Sequence, residues 1–515
     1  MISYSNHASE ILALMALKLN HVRLDHHVKD RADGPYLVVD VASPSDRFFR
    51  ALRDAQAVVI EENPFQERAA ISKRDRSPSD RLNLPETQLL RSTLSESLTV
   101  NRNTFGDNFF DRYIRSVFGY EEQITSAANY IVFGRRGSGK SSLLAYAMQH
   151  CKERRLPFAW IDMQVYAGRD DVQVAVDVLA EVFRQVSGSF QDVEGLVEAG
   201  RLVESFLHMS DCDAERAIAR SLPRLKRALS SLAQAKGDVS IFVDDVHTLR
   251  QDAQPKLLSI LYSVSRGSKC YLKISGIEHF SKTWDATNSV GLQPPHDAQV
   301  LKLDYNLTMP DKSLAHIESI LDAHARFSGL PNIAYITGHG VLDRLVWVAA
   351  AVPRDALNLF AQAIAKASAQ GQLRVSITSV NAAASEMAEQ KLKDMTQDAK
   401  GDNTSVQSVL SQIKTFCINK KRKNAFLLEI RNDEAIFKTV QELIALRFVH
   451  VLHEGITPHE AGRRYQALLL DYGFYVGIRA ARSVDLFQQE PKAQSVQQLR
   501  KLPIFIAEDE RGSSA

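Results

Sequence analysis

Residues 131–144, IVFGRRGSGKSSLL, decide how the rest of the chain is read. The apolar run Tyr130 to Phe133 predicts a buried strand, and it breaks at Gly134. From there Gly134, Arg135, Arg136, Gly137, Ser138, Gly139, Lys140 and Ser141 satisfy the phosphate-loop pattern G-x-x-x-x-G-K-[ST] at every position. The chemistry explains the residue types. Glycines let the backbone curl until successive N–H groups face one centre, which suits an anion. Lys140 adds a point charge for the β- and γ-phosphates, and Ser141 offers a hydroxyl to Mg²⁺. Ser142 to Gln149 continue as a helix whose positive end faces the same phosphates. Gly134 to Ser142 is thus the expected cradle of a nucleotide.

Working outward, 515 residues allow three or four domains at about 150 residues each. A 45% hydrophobic and 24% charged composition is that of ordinary globular chains with sizeable cores. A net charge of +2 excludes a steering field over the whole molecule, so any nucleic-acid surface must be a local patch. Cys151, Cys212, Cys270 and Cys417 are scattered, with neither zinc spacing nor a disulfide framework, which suits a reducing cytosol. Ile11 to Leu19 is too short to span a bilayer and lacks the features of a leader. The expectation is a cytoplasmic protein with no membrane partner.

Residues 1–62 read as a small α/β module: helical spacing over Ala8–Leu19, a strand at Tyr36–Val41, a helix at Asp46–Asp54 and a further apolar run at Ala57–Ile60. Its acids Asp40, Asp46, Glu61 and Glu62 lack metal-ligand spacing and read as solvated. Residues 63–104 are polar, with Pro64, Pro78 and Pro85, and read as a linker. An ATPase-like core is expected over 105–305. Phe105, Phe109, Phe110, Tyr113, Ile114 and Val117 form an apolar stripe, read as core sooner than as a purine slot. After the phosphate loop come a second strand, Phe158–Val165, and two amphipathic stretches, Val172–Val186 and Ala214–Ala235.

The run Val239 to Asp245, VSIFVDD, is the second half of the site. Its apolar positions predict a buried parallel strand, with two carboxylates emerging where open α/β sheets bind ligands. Asp244 would sit near the Mg²⁺ shell, and Asp245 would orient or deprotonate the attacking water. A further strand at Cys270–Ile274 ends at Ser275, placed to hydrogen-bond the γ-phosphate or that water, or simply to cap the strand. Residues 306–395 read as a helical lid. Within it Arg354, on the first turn of the helix that opens at Pro353, would reach back to the γ-phosphate. A linker is expected at 396–404 and a winged helix at 405–480, with helices at Val406–Asn419 and Asp433–Leu446 and strands at Phe448–Leu452 and Tyr465–Leu470. Its basic groups, Lys420, Lys421, Arg422 and Lys423 in a turn and Arg463 and Arg464 on the wing, are candidate phosphate contacts to double-stranded DNA. Residues 481–515 read as a tail.

This order of features resembles the origin-recognition and cell-division-cycle initiator branch of the AAA+ ATPases. The segments FVDDVHTLRQDAQPKLLSILYSV, LKISGIEHF and VGLQPPHDAQVLKLDYNL are similar to a bacterial group described as initiator-like. The resemblance covers about Phe105 to Ile478. It implies a P-loop NTPase fold of the additional-strand type, with ATP and Mg²⁺ as cofactors. It gives Lys140 and Ser141 the Walker A roles, Asp244 and Asp245 those of Walker B, Ser275 the first sensor and Arg354 the second. Two positions depart from the pattern. Asp245 stands where many AAA+ motors carry Glu, and its shorter arm implies slow hydrolysis. The stretch Glu278 to Trp284 holds no arginine finger; Lys282 is its nearest cation, while Arg135 and Arg136 read as solvated.

The function these features imply is an ATP-driven switch that closes a lid, repositions the winged helix and so governs binding to DNA, to a protein effector or to further copies of the chain. The alternative is a signalling or scaffold NTPase, as in an antiviral defence complex, whose winged helix touches only protein. A small-molecule kinase has no use for the lid and winged helix.

Overall fold

The structure, a computed structural model, describes residues 2–59, 62–74, 80–98, 107–169, 172–303, 307–397, 404–431, 433–457, 462–476, 484, 492 and 495–507. The chain divides into two compact units. One joins Met1–Thr99, Asp107–Ile114 and Tyr305–Ala515; the other is Val100–Gly106 with Arg115–Asp304.

The chain begins with α1 (Ile2–Lys18), β1 (His26–Arg31), β2 (Gly34–Val41), α2 (Asp46–Val58), β3 (Ala69–Lys73), α3 (Pro85–Glu96) and α4 (Asp107–Phe110). β2 is the middle strand, antiparallel to β1 and parallel to β3. Leu37, Val39 and Val41, which alternate along β2, share a core with Ile11 and Met15 of α1 and Phe48 and Leu52 of α2. Asp40 points the other way and its carboxylate meets His27 Nδ1 at 2.7 Å, so it is a paired acid where a solvated one was expected. The run Ala57–Ile60 splits between the end of α2 and its C-cap Val59; Ile60 and Glu61 lie outside the described residues.

The second unit holds α5 (Tyr120–Ile124), β4 (Tyr130–Phe133), α6 (Lys140–Glu153), β5 (Phe158–Asp162), α7 (Val172–Ser189), α8 (Leu196–Phe206), α9 (Asp211–Lys236), β6 (Val239–Asp244), α10 (Ala253–Ser265), β7 (Cys270–Gly276), β8 (Trp284–Asp285), β9 (Val290–Gly291) and β10 (Gln299–Lys302). Five of these strands form a parallel sheet in the order β10-β4-β7-β6-β5. β7 is the additional strand, inserted between the phosphate-loop strand β4 and the acidic strand β6. Each residue of β4 is buried, as a parallel strand covered on both faces requires. The register sets Val132 beside Ser275 and Asp162 beside Asp244, so the motif-bearing ends of four strands finish level with one another.

The first unit resumes with α11 (Pro310–Phe327), α12 (Val341–Val348), α13 (Pro353–Ala369), α14 (Ile377–Gln397), α15 (Thr404–Lys414), β11 (Ala425–Glu429), α16 (Ala435–Ala445), β12 (Val449–Ile456), β13 (Tyr465–Leu470) and α17 (Val496–Leu499). A π-helical turn, Thr415–Lys420, extends α15. β11, β13 and β12 form an antiparallel sheet in that order. One apolar core runs from Leu90 and Leu94 of α3 through Leu345 and Phe360 to Leu443, Leu468, Tyr472 and Phe505.

That core corrects two expectations. Residues 63–104 are no linker over their described part, since β3 and α3 stand there. Pro85 occupies the first turn of α3, where a missing N–H costs nothing, and Leu89, Leu90 and Leu94 are buried. Residues 99–106, Phe105 among them, lie outside the described residues, as do 398–403 of the expected 396–404 linker. Nor is 481–515 a free tail in its described part. Leu427 N donates to the Pro503 carbonyl at 2.8 Å and Phe505 N to the Leu427 carbonyl at 2.8 Å, adding an edge pairing to β11.

Candidate nucleotide-phosphate site

The phosphate loop leaves β4 at Phe133 and enters α6 at Lys140. Two glycines are required for different reasons. A Cβ on Gly134 would lie 2.5 Å from Ser138 Oγ and 2.7 Å from the Leu303 carbonyl oxygen. At Gly139 there is open space, but φ is +95°, a conformation side chains avoid. The curl puts Lys140 inside: it is 5% exposed and its Nζ donates to the Arg135 carbonyl at 3.2 Å. Ser138 is 2% exposed, and its buried hydroxyl has no hydrogen-bond partner among the described residues. Both are donors suited to phosphate oxygens. Arg136 is exposed as expected, whereas Arg135 is buried at 8% exposure where a solvated side chain was expected.

Across from the loop, β6 delivers Asp244, which is 7% exposed. Ser275 Oγ, at the end of β7, donates to Asp244 Oδ1 at 2.5 Å, and the Ser141 hydroxyl faces the same carboxylate. Burial, then the neighbouring Asp245 charge, push the Asp244 carboxyl up to about 6, against the Ser275 and Ser141 hydrogen bonds and the Lys140 charge. A buried acid with a half-buried second acid next to it, beside one ammonium and one hydroxyl, is electrostatically fitted to a divalent cation. Mg²⁺ is held by few protein oxygens, with phosphates and water completing its shell. Ser141 and Asp244 are the residues that would hold it. Among the described residues no three His, Cys, Asp or Glu side chains gather into a fuller metal cage.

Asp245 follows with a left-handed backbone, φ +58°, that turns its carboxylate out of the strand direction. Its N–H donates to Ser275 Oγ at 2.9 Å, and its Oδ2 accepts from Gln164 Nε2 at 2.8 Å. Ser275 therefore bridges both acids; it is fully buried and does more than cap a strand. His247 Nδ1 stands 3.8 Å from Asp245 Oδ1, and its ring is held down to about 4 by burial foremost and by the Lys140 and Arg136 charges, against the pull of Asp245. Gln164 and His247 are the site neighbours that sequence reading missed. The sequence does place His247 three residues after Asp244, within the run FVDDVH.

The structure thus brings together the loop Gly134–Ser142, Asp244, Asp245 and Ser275. Arg354 belongs to the other unit, on the first turn of α13, where its neighbour Asp355 is ion-paired with Arg447. Lys282 is no ready substitute for an arginine finger, since its Nζ lies 3.5 Å from Asp285 Oδ1.

The two basic groups of the C-terminal module do not converge. β11 runs from Ala425, paired with Leu469, to Glu429, paired with Tyr465. Lys420–Lys423 therefore precede one end of the sheet and Arg463–Arg464 the other. Among the described residues a single helix, α16, stands between β11 and the β12–β13 hairpin, where a helix-turn-helix places two. Arg431 lies 2.9 Å from Glu429 and 2.5 Å from Glu434, and Arg463 Nε lies 3.8 Å from Glu429, so positive charge at this end of the sheet is partly neutralised.

Among the described residues no helix is long and apolar enough to cross a membrane. No curated protein matches the chain. Solved structures similar to it include the ORC1 protein of Aeropyrum pernix in complex with DNA, at 13% identity over 76% of this chain and 95% of that one, TM-score 0.40. A Walker-type ATPase of Pyrococcus abyssi gives 13% identity, 80% and 99% coverage and a TM-score of 0.41. Drosophila ORC bound to DNA gives 14%, 81% and 94%, and 0.38. Residues 113–274, which carry the phosphate loop, both acids and the last residue but two of the additional strand, match the model of the AAA ATPase domain. The stretch that builds most of this site is similar to the AAA ATPase domain.

Proposed function

We propose that the chain is an ATP- and Mg²⁺-dependent switch of the initiator-like AAA+ kind, hydrolysing slowly and coupling its nucleotide state to a partner. The observation that carries this reading is the burial of Lys140 and Ser138 in the phosphate loop together with that of Asp244, which Ser275 Oγ holds at 2.5 Å, at the level ends of adjacent parallel strands. Lys140, Ser138 and the loop amides would take the phosphates. Asp245 would take or orient the attacking water, Ser275 would hold both acids in register, and Arg354 would answer to the γ-phosphate. Magnesium, when bound, would neutralise charge developing on the phosphoryl oxygens.

Slow turnover is supported by two features. Asp245 has the shorter acidic arm, and Gln164 holds one of its oxygens. The four free cysteines fit a reducing cytoplasm. For the C-terminal module, the separated basic groups and the single helix α16 favour a protein partner over a DNA duplex. Asp245→Asn tests the catalytic assignment. The variant should bind Mg-ATP as the parent does and lose at least about a hundredfold in single-turnover hydrolysis; a variant that turns over normally refutes the role given to Asp245.

A further inference from the structure

Four arginines follow one another down a single face of α9. Arg216, Arg220, Arg224 and Arg227 are all exposed. At about 100° per residue they fall within roughly 80° of arc, and they span about 16 Å of helix axis. Among the described residues none of them enters an ion pair; Arg227 Nε touches only the Pro223 carbonyl, at 3.3 Å. Elsewhere on the same unit, several cations are answered: Arg169 by Asp177, Arg184 by Glu181, Lys236 by Asp192 and Lys302 by Glu278. Of the acids of α9, Asp213 accepts from Ser210 Oγ at 2.6 Å and Asp211 from Gln173 Nε2 at 3.1 Å, and Glu215 lies about 100° round the helix from Arg216, off the stripe.

The stripe opposes the helix that bears it. Like charges four residues apart on one helix face repel. The core does not need these side chains either, since α9 is anchored through Leu225, Ala228, Leu229, Leu232 and Ala233 on its other side. With a chain net charge of only +2, four unanswered arginines in one line form a strong local field.

We infer that this face of α9 is a docking surface for the phosphate backbone of a nucleic acid. Charge complementarity selects the occupant. A row of cations at one per helical turn recognises repeated negative charge, and arginine forks pair phosphate oxygens bidentately. No exposed large hydrophobic residue lies on α9 to anchor a protein interface. α9 also leads directly into β6, whose last residue is Asp244, so a load on this helix bears on the strand that carries the acids. Binding along α9 stands independently of the nucleotide reading; its use as the output of the switch rests on that reading.

The test uses the full chain and a fluorescent random-sequence DNA duplex, titrated over a range of salt. The parent should bind, with log affinity falling steeply against log salt. Arg220→Glu with Arg224→Glu should weaken binding about tenfold or more at roughly 50 mM salt and flatten the slope by about two. Lys421→Ala with Arg464→Ala should leave both nearly unchanged. Thermal melts and Mg-ATP affinity of the α9 variant should match the parent, which separates loss of this surface from loss of fold or of the nucleotide site. Parental affinity and slope in the α9 variant would overturn the assignment. So would a parent that ignores the duplex yet retains polyglutamate, the behaviour of a surface built for an acidic protein.

Discussion

A carboxylate buried between two hydroxyls and beside a second acid is poorly placed in a protein alone, and Asp244 is in that position. The same arrangement makes sense of Asp245, whose free choice of orientation is limited by one hydrogen bond from Gln164. Gln164→Ala should release that oxygen and raise turnover by about fivefold, the worth of roughly one hydrogen bond, with ATP affinity unchanged; steady-state hydrolysis checks it, and a fall in rate would contradict it. A second residue-scale consequence concerns His324, 5% exposed on α11. Its Nδ1–H donates to the Ile320 carbonyl at 2.8 Å and its Nε2 lies 3.1 Å from Ser97 Oγ. Burial, then the Arg112 charge, hold its ring down to about 4, from 6.5 in an exposed histidine. Between those values the unfolded chain binds more protons than the folded one. The stability in question is complete above about pH 6.5 and is lost as pH falls toward 4, by at most about 3 kcal/mol. His324→Gln should flatten that acid limb in melting curves recorded from pH 7 to 5; an unchanged difference between pH 7 and pH 5 would contradict it. The positions of Lys140, Ser141, Asp244, Asp245 and Ser275 at strand ends and loop were legible because those elements follow from the local sequence. The sequence hid Gln164 and His324, whose surroundings are supplied by elements distant in sequence.

At the scale of elements, periodicity disclosed what it carries. β4, β6 and β7 read as apolar runs and were found as such, and their order β4-β7-β6 puts three motif ends side by side. α3 was missed because Pro85 and a high polar content read as punctuation, although Leu89, Leu90 and Leu94 face inward. β1 was missed because each of its residues is exposed, leaving no alternation to detect. α3 is an integral part of its unit's core, and Leu90→Ala tests this. It should cost about 3 kcal/mol and lower the melting temperature by several degrees. A variant that melts like the parent would return the segment to the status of a linker.

The whole molecule was legible as an order of parts and not as their packing. The helices of 310–397 and the C-terminal sheet share one core and two ion pairs. Asp355 of α13 pairs with Arg447, which follows α16, and Lys391 of α14 lies 3.2 Å from Asp471. Burial works against the Asp471 charge. Lys391, then His450, and the Gly473 N–H at 2.8 Å outweigh it and hold the carboxyl well below the usual range. Such pairs join partners hundreds of ångströms apart along an extended chain, and only the fold reveals them. Arg447→Ala would leave Asp355 buried without its partner. It should cost about 3 kcal/mol, and it should make the helices of 310–397 and the C-terminal sheet melt earlier, in one transition; separate transitions for the two would contradict a common core. Above these rests the claim that the loop Gly134–Ser142 grips a triphosphate with Ser141 and Asp244 holding its metal. Calorimetric titration of the purified chain and its Lys140→Ala variant with ATP, with and without Mg²⁺, tests it most directly. The account predicts magnesium-dependent binding by the parent and none by the variant; no binding by the parent, or equal binding by both, would contradict it.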